Sequence, residues 1–346
     1  MLKTALCKQL GIEYPVFSAG IGGGATVELA AAVSNAGGCG VIGNGGLGSA
    51  YIREQAQRMR KLTNRPFGLN IILGDYDDPE NFEVLATCIE ERIPILVFFW
   101  GDARPLVAEA HRNGIKVVLQ VGSVEEAKRA ADGGVDVIIA QGSEAGGHVR
   151  GNTALSVLVP SIVDAVKPVP VIASGGIADG RGLAAALALG AQAVSLGTRF
   201  VASEEASAAR AYKERVVASS ADDTVYSTYL FDIGWPDAPH RVIRNRVVRE
   251  WEEAGQPPSG QRPGEGTVVG TRPVGNRIVD VQRYASGMTT LGVEGDLELM
   301  PFWAGQSCSL VHDIKPAGQI VHDLVREAEE AIDSLQDLVG KGQPVA

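Results

Sequence analysis

Over the first two hundred residues, short apolar runs alternate with Ala-rich amphipathic stretches. The apolar runs predict eight strands: PVFSAG (15–20), CGVIGNG (39–45), FGLNIIL (67–73), ILVFFW (95–100), KVVLQVG (116–122), VDVIIAQG (135–142), PVIASGG (170–176) and AVSLGTRF (193–200). Between them, segments such as TVELAAAVSNAG, SAYIREQAQRMRKL and VEEAKRAADGG predict helices, several ending at Gly, the usual C-terminal stop. The strand runs are mostly apolar and show no period of two, which suits a parallel sheet buried on both faces. Eight βα units in series predict an α/β fold of the (β/α)8 TIM-barrel type, in preference to an open doubly wound sheet. GIGGG (20–24) follows the first strand, but no acidic residue closes a second strand, so a dinucleotide fingerprint fits poorly.

After Phe200 the alternation stops. Residues 219–300 lack βα units and contain QPPSGQRPGEG (256–266), a loop by composition. We expect residues 1–218 and 301–346 to form the barrel. Residues 219–300 should be an insertion of helices and loops covering its mouth, within the same structural unit. PAGQIVHDLVREAEEAIDSLQDLV (316–339) is strongly amphipathic and predicts a closing helix packed outside the barrel.

Charge and composition narrow the function. With 31 Lys+Arg against 41 Asp+Glu the net charge is −10, which argues against nucleic acid and an anionic membrane surface as partners. Gly is 43 of 346 residues, about 12% against an average near 7%, with no collagen-like period, so close backbone approaches are expected. Cys7, Cys39, Cys88 and Cys308 show no CxxC spacing, and no His completes a zinc site, so no metal is expected. No apolar run resembles a signal peptide or spans a bilayer, and a cytoplasmic protein is the expectation.

In such a barrel the chemistry lies at the C-terminal ends of the strands. The seventh strand ends in Ser174-Gly175-Gly176 and the eighth in Ser195-Leu196-Gly197-Thr198. Glycine amides and a Thr hydroxyl there predict an anion nest for a phosphate-bearing ligand. QGSEAGGH (141–148), after the sixth strand, places His148 behind two glycines in a loop over the mouth. An imidazole titrating near neutral pH is the default general base. Glu144 in the same loop suits a helix cap better than catalysis. Arg241, Arg244, Arg246 and Arg249 are read as a solvated helix face.

AQGSEAGGHVRG, VIASGGIADGRG and SLGTRF, in this order, with NAGGCGVIG (35–43) and AGQS (304–307), resemble the flavin-dependent nitronate monooxygenases, formerly 2-nitropropane dioxygenases. The resemblance runs from about residue 10 to 335. It implies an FMN-containing barrel, with the phosphate on Gly176 and Ser195–Thr198 and with Ser174 and Gly175 in the same turn. It puts the ring and ribityl chain near Ala19, Gly20, Asn70, Gln120, Gln141 and Gly146, and Gln306 beside them. His148 matches the family's catalytic base. The first strand reads SAGIGGG, a departure from the family's usual Gln-containing turn. Flavin-dependent enoyl-acyl carrier protein reductases and NAD(P)H:quinone reductases are similar in scaffold and histidine. The implied activity is O2-dependent oxidation of alkyl nitronates or nitroalkanes to carbonyl compounds and nitrite. The alternative is NAD(P)H-dependent reduction of a quinone or enoyl thioester. A flavin-free isomerase or aldolase is a third reading, weakened because no Lys ends a strand. Small-molecule substrates and a monomer or homodimer are expected throughout.

Overall fold

The structure is a computed structural model that describes residues 2–75, 78–274 and 277–339. Eight parallel strands form the barrel: β1 (Val16–Ser18), β2 (Gly40–Gly43), β3 (Phe67–Ile72), β4 (Ile95–Phe99), β5 (Lys116–Val121), β6 (Val137–Gln141), β7 (Val171–Ser174) and β8 (Ala193–Leu196). Pairing runs β1-β8-β7-β6-β5-β4-β3-β2. A parallel bridge between Phe17 and Cys39 closes the ring, reinforced by the Val41 N–H donating to Ser18 Oγ at 3.0 Å. The strands carry almost no exposed positions, in keeping with their mostly apolar runs.

Helix α1 (Ala5–Leu10) precedes the barrel, and α2 (Val27–Asn35), α3 (Ser49–Leu62), α4 (Pro79–Glu90), α5 (Arg104–Arg112), α6 (Val124–Asp132), α7 (Leu155–Val166) and α8 (Gly180–Ala188) surround it. Side-chain caps set several starts: Ser123 Oγ accepts from Glu126 N–H and Asp179 Oδ1 from Gly182 N–H. Leu6, Cys7 and Leu10 of α1 pack into one cluster with the barrel's inward-facing Phe17, Val97, Val118 and Ile172. Helix α1 therefore plugs one end, and the cavity opens at the C-terminal ends of the strands. Among the described residues no helix is long and apolar enough to cross a membrane.

Beyond α9 (Thr198–Val201) and α10 (Arg210–Ala218), the 219–300 segment holds more strand than its composition suggested. Strands β9 (Thr224–Ser227) and β10 (His240–Ile243) pair antiparallel, and β10 also pairs with the Gly147–His148 segment. After α11 (Arg246–Glu253), β11 (Val268–Val274), β12 (Arg277–Gln282) and β13 (Glu294–Gly295) make a second small sheet. The helical reading of the arginine run is corrected here. Only Arg246 and Arg249 lie on a helix. Arg241 is on β10, donating to the Ser143 carbonyl at 3.0 Å and to Thr224 Oγ1 at 3.1 Å. Pairing across β10 overrode the local spacing. Helix α12 (Ala317–Val339) packs on α8 and α2, and Glu327 accepts from Gly180 N–H at 3.0 Å.

Leu230, Phe231, Val247, Trp251, Tyr284 and Phe302 build a second core, which includes Ala178 and Val201 of the barrel. Its polar clamp is Arg262, whose side chain is fully buried. The guanidinium donates to Asp232 at 2.6 Å and to the Tyr229 carbonyl at 2.6 Å, pairs with Glu265, and lies 4.5 Å from the Tyr284 ring centroid. That pairing holds the Glu265 carboxyl down to about 2. Removing one partner of a buried pair leaves the other charge uncompensated. Arg262→Ala should therefore cost about 3–5 kcal/mol in urea unfolding. A loss within the usual scatter of surface substitutions would show that the clamp does not hold the insertion.

Candidate active site

A cavity of about 940 Å³ occupies the C-terminal face, between the strand ends and the insertion. Ala19, Gly20, Asn70, Gln120, Gln141, Gly146, His148, Ser174, Gly175, Gly176, Ser195, Leu196, Gly197 and Thr198 all border it. Gln306 does not, and its neighbour Ser307 does. Gln306 instead donates its backbone N–H to the Glu144 carbonyl at 2.9 Å, and Gly305 N–H donates to Thr198 Oγ1 at 2.9 Å. These bonds stitch AGQS onto the loops after β6 and β8. The approach is very close: a Cβ on Gly146 would stand 2.1 Å from Gly305 N, and one on Gly305 2.5 Å from the Glu144 carbonyl. The two glycine motifs, far apart in the chain, are thus halves of one contact.

At the β7 and β8 ends, Gly175, Gly176, Gly197 and Thr198 border the cavity, and their N–H groups make no hydrogen bond among the described residues. A Cβ built on Gly197 would meet nothing nearer than Ala19 Cβ at 3.9 Å, so the backbone is open to a ligand. Thr198 Oγ1 accepts from Gly305, leaving its own proton to donate. Bare amides and a hydroxyl proton converging on an open pocket are chemically suited to a phosphate monoester, the anionic end of FMN.

Gln141 borders the cavity, but its amide is committed to its own loop. Nε2 donates to the His148 carbonyl at 2.9 Å, and Oε1 accepts from Arg150 N–H at 2.8 Å. Asn70 Nδ2 donates to the Val97 carbonyl at 2.9 Å. Glu144 accepts the Leu155 N–H with both oxygens at 3.0 Å, capping α7 as its loop position suggested.

His148 packs against two indoles. Its ring centroid is 4.0 Å from that of Trp235 at 33° and 5.3 Å from that of Trp303 at 37°, with Trp100 edge-on at 6.5 Å. Its Nε2 is buried without a hydrogen-bond partner. Burial among these rings, and then the neighbouring His240, push the imidazole down to about 3. The expectation of a group titrating near neutral pH is corrected accordingly: His148 is neutral at pH 7, and aromatic packing rather than a carboxylate sets its state. His240 is likewise lowered by burial; its Nδ1 donates to the Ala238 carbonyl at 2.8 Å and its Nε2 accepts from Phe231 N–H at 3.1 Å.

Sequence reasoning missed Trp235, Trp303, Asn44 and Tyr212, all of which border the cavity. The Tyr212 hydroxyl donates to the Trp303 carbonyl. Trp100 caps β4 with φ 65°, a strained value for a bulky residue, and carries the Arg150 guanidinium 4.7 Å from its ring. The chain has four tryptophans, and three of them crowd His148. Their rarity was the one available signal.

Strand ends, open amides and an unpaired imidazole at one barrel mouth define a barrel enzyme with its chemistry on the C-terminal face. The chain belongs to the nitronate monooxygenase family, whose model matches residues 3–101 and 84–327. That family makes it an oxidoreductase. It is 35% identical over 254 residues to the (3aS,4S,5R,7aS)-5-hydroxy-7a-methyl-1-oxo-octahydro-1H-indene-4-carboxyl-CoA dehydrogenase of Rhodococcus jostii, covering 73% of this chain and 69% of that one. Among solved structures, FabK from Thermotoga maritima superposes with a TM-score of 0.80 at 36% identity, over 98% of this chain and 100% of FabK. Nitroalkane oxidase from Streptomyces ansochromogenes superposes at 0.76 with 27% identity, over 96% of this chain and all of that one.

Proposed function

We propose that the chain is an FMN-dependent nitronate monooxygenase that converts alkyl nitronates, and nitroalkanes after loss of a Cα proton, into carbonyl compounds and nitrite with O2. The observation that carries this reading is the unpartnered Nε2 of neutral His148, packed against two indoles on the same cavity as the open amides of β7 and β8. When bound, FMN supplies the redox chemistry with substrate and O2. Gly175, Gly176, Gly197 and Thr198 would hold its phosphate, and Ala19, Gly20 and Asn70 would flank its ring. His148 takes the Cα proton of a neutral nitroalkane on Nε2. The resulting imidazolium lies against the faces of Trp235 and Trp303, where cation–π attraction offsets part of its lost hydration. The aromatic wall keeps water from the acidic carbon.

A second reading, NAD(P)H-dependent reduction of a quinone or enoyl thioester, is favoured by the higher identity to FabK and to the CoA-thioester dehydrogenase than to nitroalkane oxidase. One cuvette separates the readings. The purified protein should be yellow and release FMN on denaturation. Ethylnitronate in air should yield nitrite, while anaerobic NADPH should leave the visible spectrum unchanged. Rapid bleaching by NADPH with no nitrite from nitronate would transfer the site to the reductase reading. A colourless protein that takes up no FMN would return it to a flavin-free barrel.

A further inference from the structure

Asn44 directly follows β2 and is 4% exposed. Its backbone is fully used: the N–H donates to the Asn70 carbonyl at 3.3 Å and the carbonyl accepts from Leu47 N–H at 3.1 Å. The residue borders the cavity, and its side-chain Oδ1 is buried with no hydrogen-bond partner. A buried acceptor left unpaired costs about 1–3 kcal/mol, and a ligand bearing an N–H relieves that cost. Asn44 also lies two strands round the barrel from β8 and three from β7. A ligand anchored by phosphate at those ends has to extend across two or three strand ends to reach Asn44.

We propose that Asn44 is a further cofactor-binding residue, its Oδ1 accepting a hydrogen bond from the ring imide N–H of the flavin. The inference rests on the FMN reading above. It gives the site two separable recognition elements, glycine amides for the phosphate and a carboxamide for the ring. The neighbouring Gly45 and Gly46, at φ 60° and 75°, turn the chain just after Asn44 and border the same cavity.

The test titrates apoprotein with FMN and, separately, with riboflavin, following quenching of flavin fluorescence. Asn44→Leu removes the acceptor at similar size and should weaken both ligands by the same factor, roughly 10–100-fold. Asn44→Asp keeps an acceptor whether or not it is ionised and should bind both near the wild-type level. Gly176→Asp should weaken FMN and spare riboflavin. Unchanged affinities in Asn44→Leu would overturn the contact, and so would a loss confined to FMN. Asn44→Asp as weak as Asn44→Leu would mean the amide donates rather than accepts, and would overturn it too. A wild type that binds neither flavin would sink the FMN reading and this contact with it. A folded Asn44→Leu, shown by an unchanged circular dichroism melt, keeps the comparison clean.

Discussion

Gly176→Asp is expected to strip FMN from the protein while leaving the fold intact. Gly176 sits at φ 70°, a region in which Asp is among the better tolerated non-glycine residues. Its new Cβ would meet nothing nearer than Glu144 Cβ at 3.4 Å, an ordinary contact. The space thus admits the change, and the positive φ strains Asp and Asn alike, so the difference between those two variants falls on charge. A carboxylate about 4 Å from a phosphate charge, near a protein surface, is repelled by about 4 kcal/mol. That corresponds to roughly a thousandfold in affinity. Gly176→Asn has the same size and backbone tolerance without the charge, and should lose far less. Full FMN occupancy in purified Gly176→Asp would place the phosphate elsewhere. Equal losses in the Asp and Asn variants would point to shape rather than charge.

The barrel was legible because each of its strands is a short, mostly apolar run without alternation, with glycine or proline close by, and burial on both faces imposes that pattern. The β7 and β8 ends could be located for the same reason: glycines after a strand stand at the mouth by construction. Residues 219–300 were less legible. Strand β10 carries HRVI, four residues with no clear alternation, and its partners are the two-residue Gly147–His148 segment and β9. Such pairing is non-local, and local spacing instead read the arginines as a helix. The state of His148 was illegible for a related reason. The groups that push it down are Trp235, Trp303 and His240, brought from 87 or more residues away by the insertion and the 301–307 segment. A motif shows that a histidine faces the mouth. It does not show what packs on the ring, and packing decides whether the imidazole titrates at 6.5 or near 3. Gln306 illustrates the converse: the AGQS motif does reach the site, but it contributes Ser307 and the Gly305 contact rather than the Gln side chain.

His148→Asn should separate neutral from anionic substrates. Asn keeps a polar side chain of similar size and cannot take up the Cα proton, so FMN should stay bound. With a nitroalkane, turnover should fall roughly 10²–10⁴-fold, the span expected for a positioned general base. With a pre-formed nitronate the proton is already gone, and the loss should be much smaller. The pH profile adds an independent sign. Because burial lowers His148 to about 3, the wild-type imidazole stays unprotonated as pH falls through 6.5, and nitroalkane turnover should show no acid limb there. The base is lost only as pH approaches 3, so any fall between pH 5 and 8 must come from another group. Equal losses with both substrates would make His148 a binding or orienting residue. An acid limb near 6.5 that disappears in His148→Asn would show that bound cofactor and substrate lift the imidazole back toward its ordinary value. If the protein turns over neither substrate and His148→Asn slows an NAD(P)H-dependent reduction, the histidine donates a proton to reduced product, and the reductase reading replaces this one.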